Sequence, residues 1–516
     1  MQRTWDPSVQ WDPEVETFLG NALGIDRLKA ISQATSRPPL LTCLRVNTLR
    51  TTVEDILRRL PTALSPSDQQ LLAQAGTQPY IHPQIPFAIM IPGSGPHPVD
   101  YSQCQGLEVI VGRRAGESML RGSNAYAPGI LACSTGIAIG DTVSVSVGIE
   151  LPAGTNNSNT NKNLFGCTRG TVLPQDLPLD DPRFPQREKL FIGTGRAEVS
   201  RTGMNPSASG LVVSLKERVF RTLALGDVFP GECMLQNLPS LTAAVVLDPT
   251  PGSRVLDMCA APGGKTTAMA QIMGDSGEII ALDRSHNKVA GIEKLAEELG
   301  ITIIKAYRHD ATKAIATDET RKKQKIDQEK EASGMVNEKI KARLERKATG
   351  KLIHGGDLPA RVSTTAGFEP ESFDYLLLDA PCTALGLRPR LILPQTLREL
   401  HNAAHYQRKL IDTAVHLLKP GGHMVFSTCT INPLENEGNV RYLLNKYPFM
   451  KLAVQYPKLG GPGLVGQVPG DEPGYMKKLL KDEVEADMVQ RFDPSSGLDT
   501  PGFFIAKFEK IASSIS

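Results

Sequence analysis

The tract Val255-Leu-Asp-Met-Cys-Ala-Ala-Pro-Gly-Gly-Lys-Thr-Thr267 constrains the fold more than any other part of this chain. A β-type run ends in a turn carrying two glycines, and a helical pattern opens directly after it. In an open α/β sheet, ligands bind where the strands end at their carboxyl edges. Gly263 and Gly264 let the backbone approach a ligand, and the helix start offers unbonded N–H groups. The GxxxxGK spacing of a Walker loop is absent.

From about residue 241 onward, strand and helix patterns alternate. Strand candidates are Arg254–Met258, Glu278–Asp283, Ile301–Tyr307, Tyr375–Asp379 and His423–Ser427. That alternation predicts a parallel sheet with helices on both faces. Ile280-Ala-Leu-Asp283 ends a strand in an acid 19 positions after Gly264, which suits hydrogen bonding to ribose hydroxyls. Asp310 follows another strand-like run and is placed to reach an adenine edge. Together these features predict a nucleoside-bearing cofactor.

The remaining chain reads differently. Residues 1–84 mix helical patterns, Pro13–Ala22 and Thr52–Leu60, with a strand-like Leu41–Asn47. Over 85–197, short β-type runs recur between Gly and Pro, at Phe87–Ile91, Glu108–Val111, Ile130–Cys133 and Thr142–Val147, and predict a small β-barrel module. Residues 151–188 are rich in Asn, Pro and Gly, and Thr155–Asn163 has nothing apolar to bury, which predicts a disordered loop. Residues 318–351 carry eleven Lys/Arg and seven Asp/Glu, a net of +4, and read as a solvated insertion in the α/β domain.

Composition limits the partners. The net charge is only +2, so nucleic-acid affinity must come from basic residues gathered locally. Eight cysteines, at 43, 104, 133, 167, 233, 259, 382 and 429, form no CxxC and no Cys/His cluster, so no metal site is expected. Free thiols fit a reducing compartment. Without a signal-like N-terminus or a long apolar run, the expectation is a cytoplasmic protein with no membrane partner.

Two cysteines stand at strand ends: Tyr375-Leu-Leu-Leu-Asp-Ala-Pro-Cys382 and Val425-Phe-Ser-Thr-Cys-Thr430. Cys43, Cys133 and Cys233 are expected to be core thiols. Cys382 and Cys429 are different, because strand-end loops are where α/β active sites are built. With Leu282-Asp283 and His309-Asp310-Ala-Thr312, these motifs resemble the Sun family of RNA cytosine-5 methyltransferases in order and spacing. Leu44-Arg-Val-Asn-Thr-Leu49 looks like its upstream element and Gly502–Phe508 like its closing strand.

The resemblance implies a Rossmann-like class I methyltransferase core that uses S-adenosylmethionine. It implies that Cys429 is the nucleophile, that Cys382 assists product release, and that Asp379 also faces the target base. Cofactor contacts are implied from Cys259, Ala260, Ala261, Pro262, Gly263, Gly264, Lys265, Asp283, Asp310 and Asp379. The residue types suit that chemistry. Carbon 5 of cytosine is a poor nucleophile, and a thiolate adding at carbon 6 moves electrons into the ring so that carbon 5 can attack a sulfonium methyl. Asp379 would stabilise the polarised base, and Lys265 would offer a positive donor to its exocyclic oxygen.

The module at about 85–197 looks like a PUA RNA-binding domain, on Gly106–Gly112, Leu120–Gly129 and Gly140-Asp-Thr-Val143. Its position resembles the branch that methylates cytosine 72 in tRNA acceptor stems, beside the CCA end, and related messenger RNA sites. The expected division is therefore 1–84, 85–197 and a catalytic core 198–516, in a monomer. RNA contacts are expected from Arg113, Arg114, Arg121, Arg388 and Arg390. The chain departs from the family in Thr383-Ala384, where Ser-Gly often follows the Pro-Cys pair. Two alternatives are a catalytically inactive RNA-binding protein and a DNA cytosine methyltransferase. In the latter, Cys382 would be the nucleophile.

Overall fold

The computed structural model describes residues 3–149, 169–320 and 365–514, except Ser8, 75–77, Pro206, Ala224, Asp227, Ala366 and Pro473. The Thr155–Asn163 loop, Cys167 and the charged insertion beyond residue 320 lie outside the described residues.

The α/β core is one mixed sheet. Its order is Ile304–Arg308, Glu278–Asp283, Arg254–Asp257, Phe373–Asp379, Leu418–Thr428, Phe503–Lys510 and Met450–Leu452, with Val489–Phe492 pairing Phe503–Lys510. The first five strands are parallel, and Phe503–Lys510 runs antiparallel to Leu418–Thr428. The chain starts at Arg254–Asp257, proceeds to one edge, and returns to Phe373–Asp379 on the other side. That reversal opens the ligand crevice at the carboxyl ends of these strands. Parallel strands buried on both faces need unbroken apolar runs. Leu256, Ile280 and Leu376 pack toward the helix Leu397–Leu417, and Val255, Ile279 and Leu377 toward the helices Leu238–Leu247 and Gly264–Ile272. The long helix is started by a capping box in which Glu399 N donates to Thr396 Oγ1 at 3.3 Å and Thr396 N to Glu399 Oε2 at 2.7 Å.

The β-rich module is a seven-stranded sheet, in the order Ala125–Tyr126, Leu211–Arg218, Phe191–Ala197, Thr142–Gly148, Glu108–Gly112, Ile130–Ser134 and Thr171–Leu173. Val109, Leu131, Val145, Phe184 and Val213 belong to its core, and Arg187 makes a buried ion pair with Glu108.

Strand pairing links segments that are distant along the chain. Ile85–Pro92 pairs with Leu41–Val46, and that strand with Cys233–Leu235, so this small sheet packs on the catalytic core. Leu211–Arg218 pairs with Phe191–Ala197 and belongs to the β-rich module. Local hydrophobic pattern announces a strand without naming its partner. The N-terminal region packs on the core. The helices Pro13–Leu23 and Ile25–Thr35 pack against Leu393, Leu400 and Ala404 of the core. Gln10–Trp11 pairs with Ile392–Leu393, and Trp5 bridges to Leu190 of the β-rich module. Among the described residues no helix is long and apolar enough to cross a membrane.

Candidate active site

The turn after Arg254–Asp257 is shaped by its glycines. Gly263 has φ +105°, a left-handed conformation that L side chains rarely adopt, and the helix starts at Gly264. Asp257, buried at the strand end, accepts a hydrogen bond from Thr266 Oγ1 at 2.7 Å and ties the turn to the helix. Burial pushes the Asp257 carboxyl up to about 7, against the Thr266 hydrogen bond and the charge of Lys265. Arg45 of the upstream element is also buried and donates to Gly264 O and to Thr267 Oγ1, both at 2.8 Å. With no carboxylate against it, burial lowers its guanidinium to about 10.

A cavity of about 360 Å³ opens at the ends of the first three strands, lined by Cys259, Asp283, Lys288, His309, Pro381 and Tyr406 among others. Asp283 Oδ1 accepts from Ser285 N at 2.9 Å, and Lys288 Nζ lies 3.8 Å from Oδ2. Asp310 flanks the cavity. Thr312 Oγ1 donates to its Oδ1 at 2.8 Å, and Arg284 stands 3.7 Å from Oδ2. Arg284 also reaches the Tyr406 hydroxyl, at 3.3 Å. Half-buried carboxylates beside an aromatic ring and the apolar Met258 and Leu410 fit a nucleoside: acids for its hydroxyls, apolar surface for its base. Ala260 to Gly264 shape the neighbouring turn and do not line the cavity.

Lys265 and Asp379 form a unit beside it. Lys265 Nζ lies 2.7 Å from Asp379 Oδ2 and 5.2 Å from the centre of the Phe503 ring, while Ser427 Oγ donates to Asp379 Oδ1 at 2.7 Å. Strands Phe373–Asp379 and Leu418–Thr428 place Asp379 opposite Ser427, and the thiols follow just beyond. Cys382 Sγ and Cys429 Sγ are 3.2 Å apart, both half-buried. The hydrogen bond from Cys382 lowers the Cys429 thiol below its ordinary value, although burial opposes it. The same bond and burial push Cys382 well up. The contact thus biases Cys429 toward the thiolate and Cys382 toward the thiol, and either sulfur can be the donor between them.

Sequence reasoning missed what fastens these loops. Glu435, fully buried, accepts from Thr383 N at 3.0 Å, Thr383 Oγ1 at 2.5 Å, Gln407 Nε2 at 2.8 Å and Asn432 Nδ2 at 2.9 Å. One carboxylate joins the Cys382 loop, the Leu397–Leu417 helix and the Cys429 loop. The only signal was its place six residues after Cys429 in a polar tract, Asn432–Glu437. Thr383-Ala384 therefore has a defined role: Thr383 bonds Glu435, and Ala384 adopts φ +57°, where glycine would be unstrained.

The expected RNA arginines divide. Arg388 is buried, 2.7 Å from Asp499 and bonded to the carbonyls of Ala34, Pro494 and Thr500, so it braces the core and offers nothing to RNA. Arg390 and Arg113 both pair with the buried Glu117, at 2.8 and 2.9 Å, Arg113 from the same helix and Arg390 from the core, so that Arg390 joins the β-rich module to the core. Arg114 and Arg121 are exposed. Cys43 and Cys133 are core thiols, whereas Cys233 is only half-buried. Among the described residues no His, Cys, Asp and Glu side chains group as metal ligands.

The family model described as 16S rRNA methyltransferase RsmB/F matches residues 244–349 and 316–509. The rRNA (cytosine-C(5))-methyltransferase NOP2C of Arabidopsis thaliana is 42% identical, over 98% of this chain and 91% of its own. The tRNA (cytosine(72)-C(5))-methyltransferase NSUN6 of Mus musculus is 34% identical over 98% of both chains. The tRNA (cytosine(72)-C(5))-methyltransferase of Pyrococcus horikoshii is 29% identical over 96% of both. Among solved structures, NSun6 from Pyrococcus horikoshii with SFG aligns with a TM-score of 0.67 and 28% identity, covering 98% of this chain and 99% of that one.

Proposed function

The chain belongs to the 16S rRNA methyltransferase RsmB/F family, and from that premise we propose that its paired thiols methylate carbon 5 of a tRNA cytosine through a covalent adduct. It is an S-adenosylmethionine-dependent RNA (cytosine-5) methyltransferase, in keeping with relatives that align from end to end. The observation that carries the covalent reading is the 3.2 Å between Cys382 and Cys429, beside the Lys265–Asp379 pair.

Asp283 and Asp310 would hold S-adenosylmethionine at the cavity beyond the glycine turn, and it would supply the methyl group as a sulfonium. The chain's own residues do the rest. The target base leaves its stack to reach the thiols. The Cys429 thiolate forms a bond to carbon 6, and the electron pair displaced into the ring makes carbon 5 a nucleophile. Asp379, oriented by Lys265 and Ser427, faces the ring edge and stabilises the polarised base. After methylation the carbon 5 proton passes to solvent water, its electron pair re-forms the carbon 5–carbon 6 double bond, the carbon–sulfur bond breaks to release Cys429 as thiolate, and the Cys382 thiol in contact with it stabilises that sulfur.

The β-rich module is read as a PUA domain that positions the acceptor stem, supported by its seven-stranded sheet and the exposed Arg114, Arg121 and Tyr126. The target is cytosine 72 of tRNA, with related messenger RNA sites, in a cytoplasmic monomer. A second reading, a ribosomal RNA cytosine, is favoured by the name of the Arabidopsis relative at 42% identity. Bisulfite sequencing of RNA treated with the purified protein and S-adenosylmethionine decides between them. Protection of cytosine 72 in tRNA transcripts is expected. Protection confined to ribosomal RNA would replace the substrate, and none in either would defeat the reading.

A further inference from the structure

Two thiols in contact at the ends of adjacent strands have a second chemistry open to them. Cys382 and Cys429 stand 3.2 Å apart, and a disulfide bond is about 2.0 Å long, so closing one needs a movement of only about 1.2 Å. Their loops cannot drift apart freely, because Glu435 bonds Thr383 on one and Asn432 on the other. Both thiols are half-buried and so reachable by a small oxidant, unlike Cys43, Cys104 and Cys133, which are buried. We propose that Cys382 and Cys429 are an oxidation site, closing a reversible disulfide on exposure to a hydroperoxide.

The reaction balances without another reagent. The Cys429 thiolate attacks the peroxide, the O–O bond breaks, a sulfenic acid forms, and the departing hydroxide takes up a proton as water. Cys382 then attacks the sulfenic sulfur; the S–S bond forms, the S–O bond breaks, and the second oxygen leaves as water with the Cys382 proton. Two thiols and one peroxide become one disulfide and two waters. Thiol–disulfide exchange with a small thiol reverses it. Either sulfur can donate to the other, and the contact lowers the Cys429 thiol, which suits it to attack, while Cys382 suits resolution because it is already in contact.

The consequence for activity rests on the proposed catalytic role of Cys429; the bond itself does not. The test uses the full wild-type chain with hydrogen peroxide, followed by alkylation and non-reducing peptide mass analysis. A peptide pair joined through Cys382 and Cys429 is expected, about 2 Da lighter than the sum of its thiols and released by dithiothreitol. Methylation should vanish and return with the same treatments. In Cys382→Ser the joined species should be missing, and Cys429 should progress to the sulfinic acid, about 32 Da heavier. Sulfinic acid on Cys429 of the wild type while Cys382 remains free to alkylate would overturn the proposal, as would two untouched thiols. A joined pair with full methylation would sustain the oxidation site and sink the catalytic role of Cys429, so the two failures are distinct.

Discussion

Cys382 and Cys429 touch at 3.2 Å, and the proposed mechanism gives them different roles. The hydrogen bond from Cys382, aided by Lys265, favours the Cys429 thiolate. Cys429→Ala should therefore abolish methylation, and Cys382→Ala should trap RNA on the protein because release slows. A denaturing gel with substrate tRNA reads both. A slow band with Cys429→Ala alone would exchange the roles and revive the DNA-enzyme arrangement. Asp257 is a residue-scale effect of another kind. Burial raises its carboxyl from an unfolded value near 4 to about 7, so the folded protein holds a proton that the unfolded chain has lost. The associated stability is fully present below about pH 4 and is lost as pH rises through 7, a change of order 4 kcal/mol. Asp257→Asn, which cannot ionise, should flatten this slope and be the more stable protein at pH 8. Denaturant unfolding from pH 4 to 8 checks it; parallel curves would show that Asp257 is not the titrating group.

Strand ends set directions, but at the scale of elements it is a buried polar clamp that sets the separation of the thiols. Glu435 accepts hydrogen bonds from three elements, and every partner points a donor at it. Glu435→Gln keeps the shape but turns an amide N–H₂ toward donors, at a cost of about 1–3 kcal/mol for each bond lost. Methylation should fall at least about tenfold, since small displacements of reacting groups cost rate steeply, while S-adenosylmethionine affinity stays within about twofold. Calorimetry and a methylation assay measure the two. An equal loss in both would mark Glu435 as a general support of the fold.

At the scale of the whole molecule, Glu117 is one of the groups that join the β-rich module to the core. Its buried carboxylate receives Arg113 from its own helix and Arg390 from the catalytic core, and Leu391 N at 3.3 Å. Both arginines remain partly exposed, so Glu117→Ala should cost only about 1–3 kcal/mol, as charged hydrogen bonds do. The module should then lose its fixed position, lowering tRNA affinity without changing cofactor binding, as filter binding and calorimetry would measure. Unchanged tRNA affinity would show that this contact does not position the module.

The amino-acid sequence by itself determined the elements whose signals are local. The glycine turn at Gly263-Gly264, the acids at Asp283 and Asp310, and the Cys-bearing ends of two parallel strands follow from apolar runs and the residues that stop them. What depended on long-range pairing was decided only in the tertiary structure. Ile85–Pro92 reads as a strand from its own residues, but its partner is Leu41–Val46, in a sheet that packs on the catalytic core. Arg388 and Arg390 have the composition of RNA contacts, and only their approach to Asp499 and Glu117 turns them into internal braces. Glu435 carries no motif of its own, because Thr383 and Gln407 come from distant segments and join Asn432 in bonding it only once the chain has folded. Periodicity is a property of neighbours along the chain, whereas charge pairing and hydrogen-bond satisfaction are properties of neighbours in space.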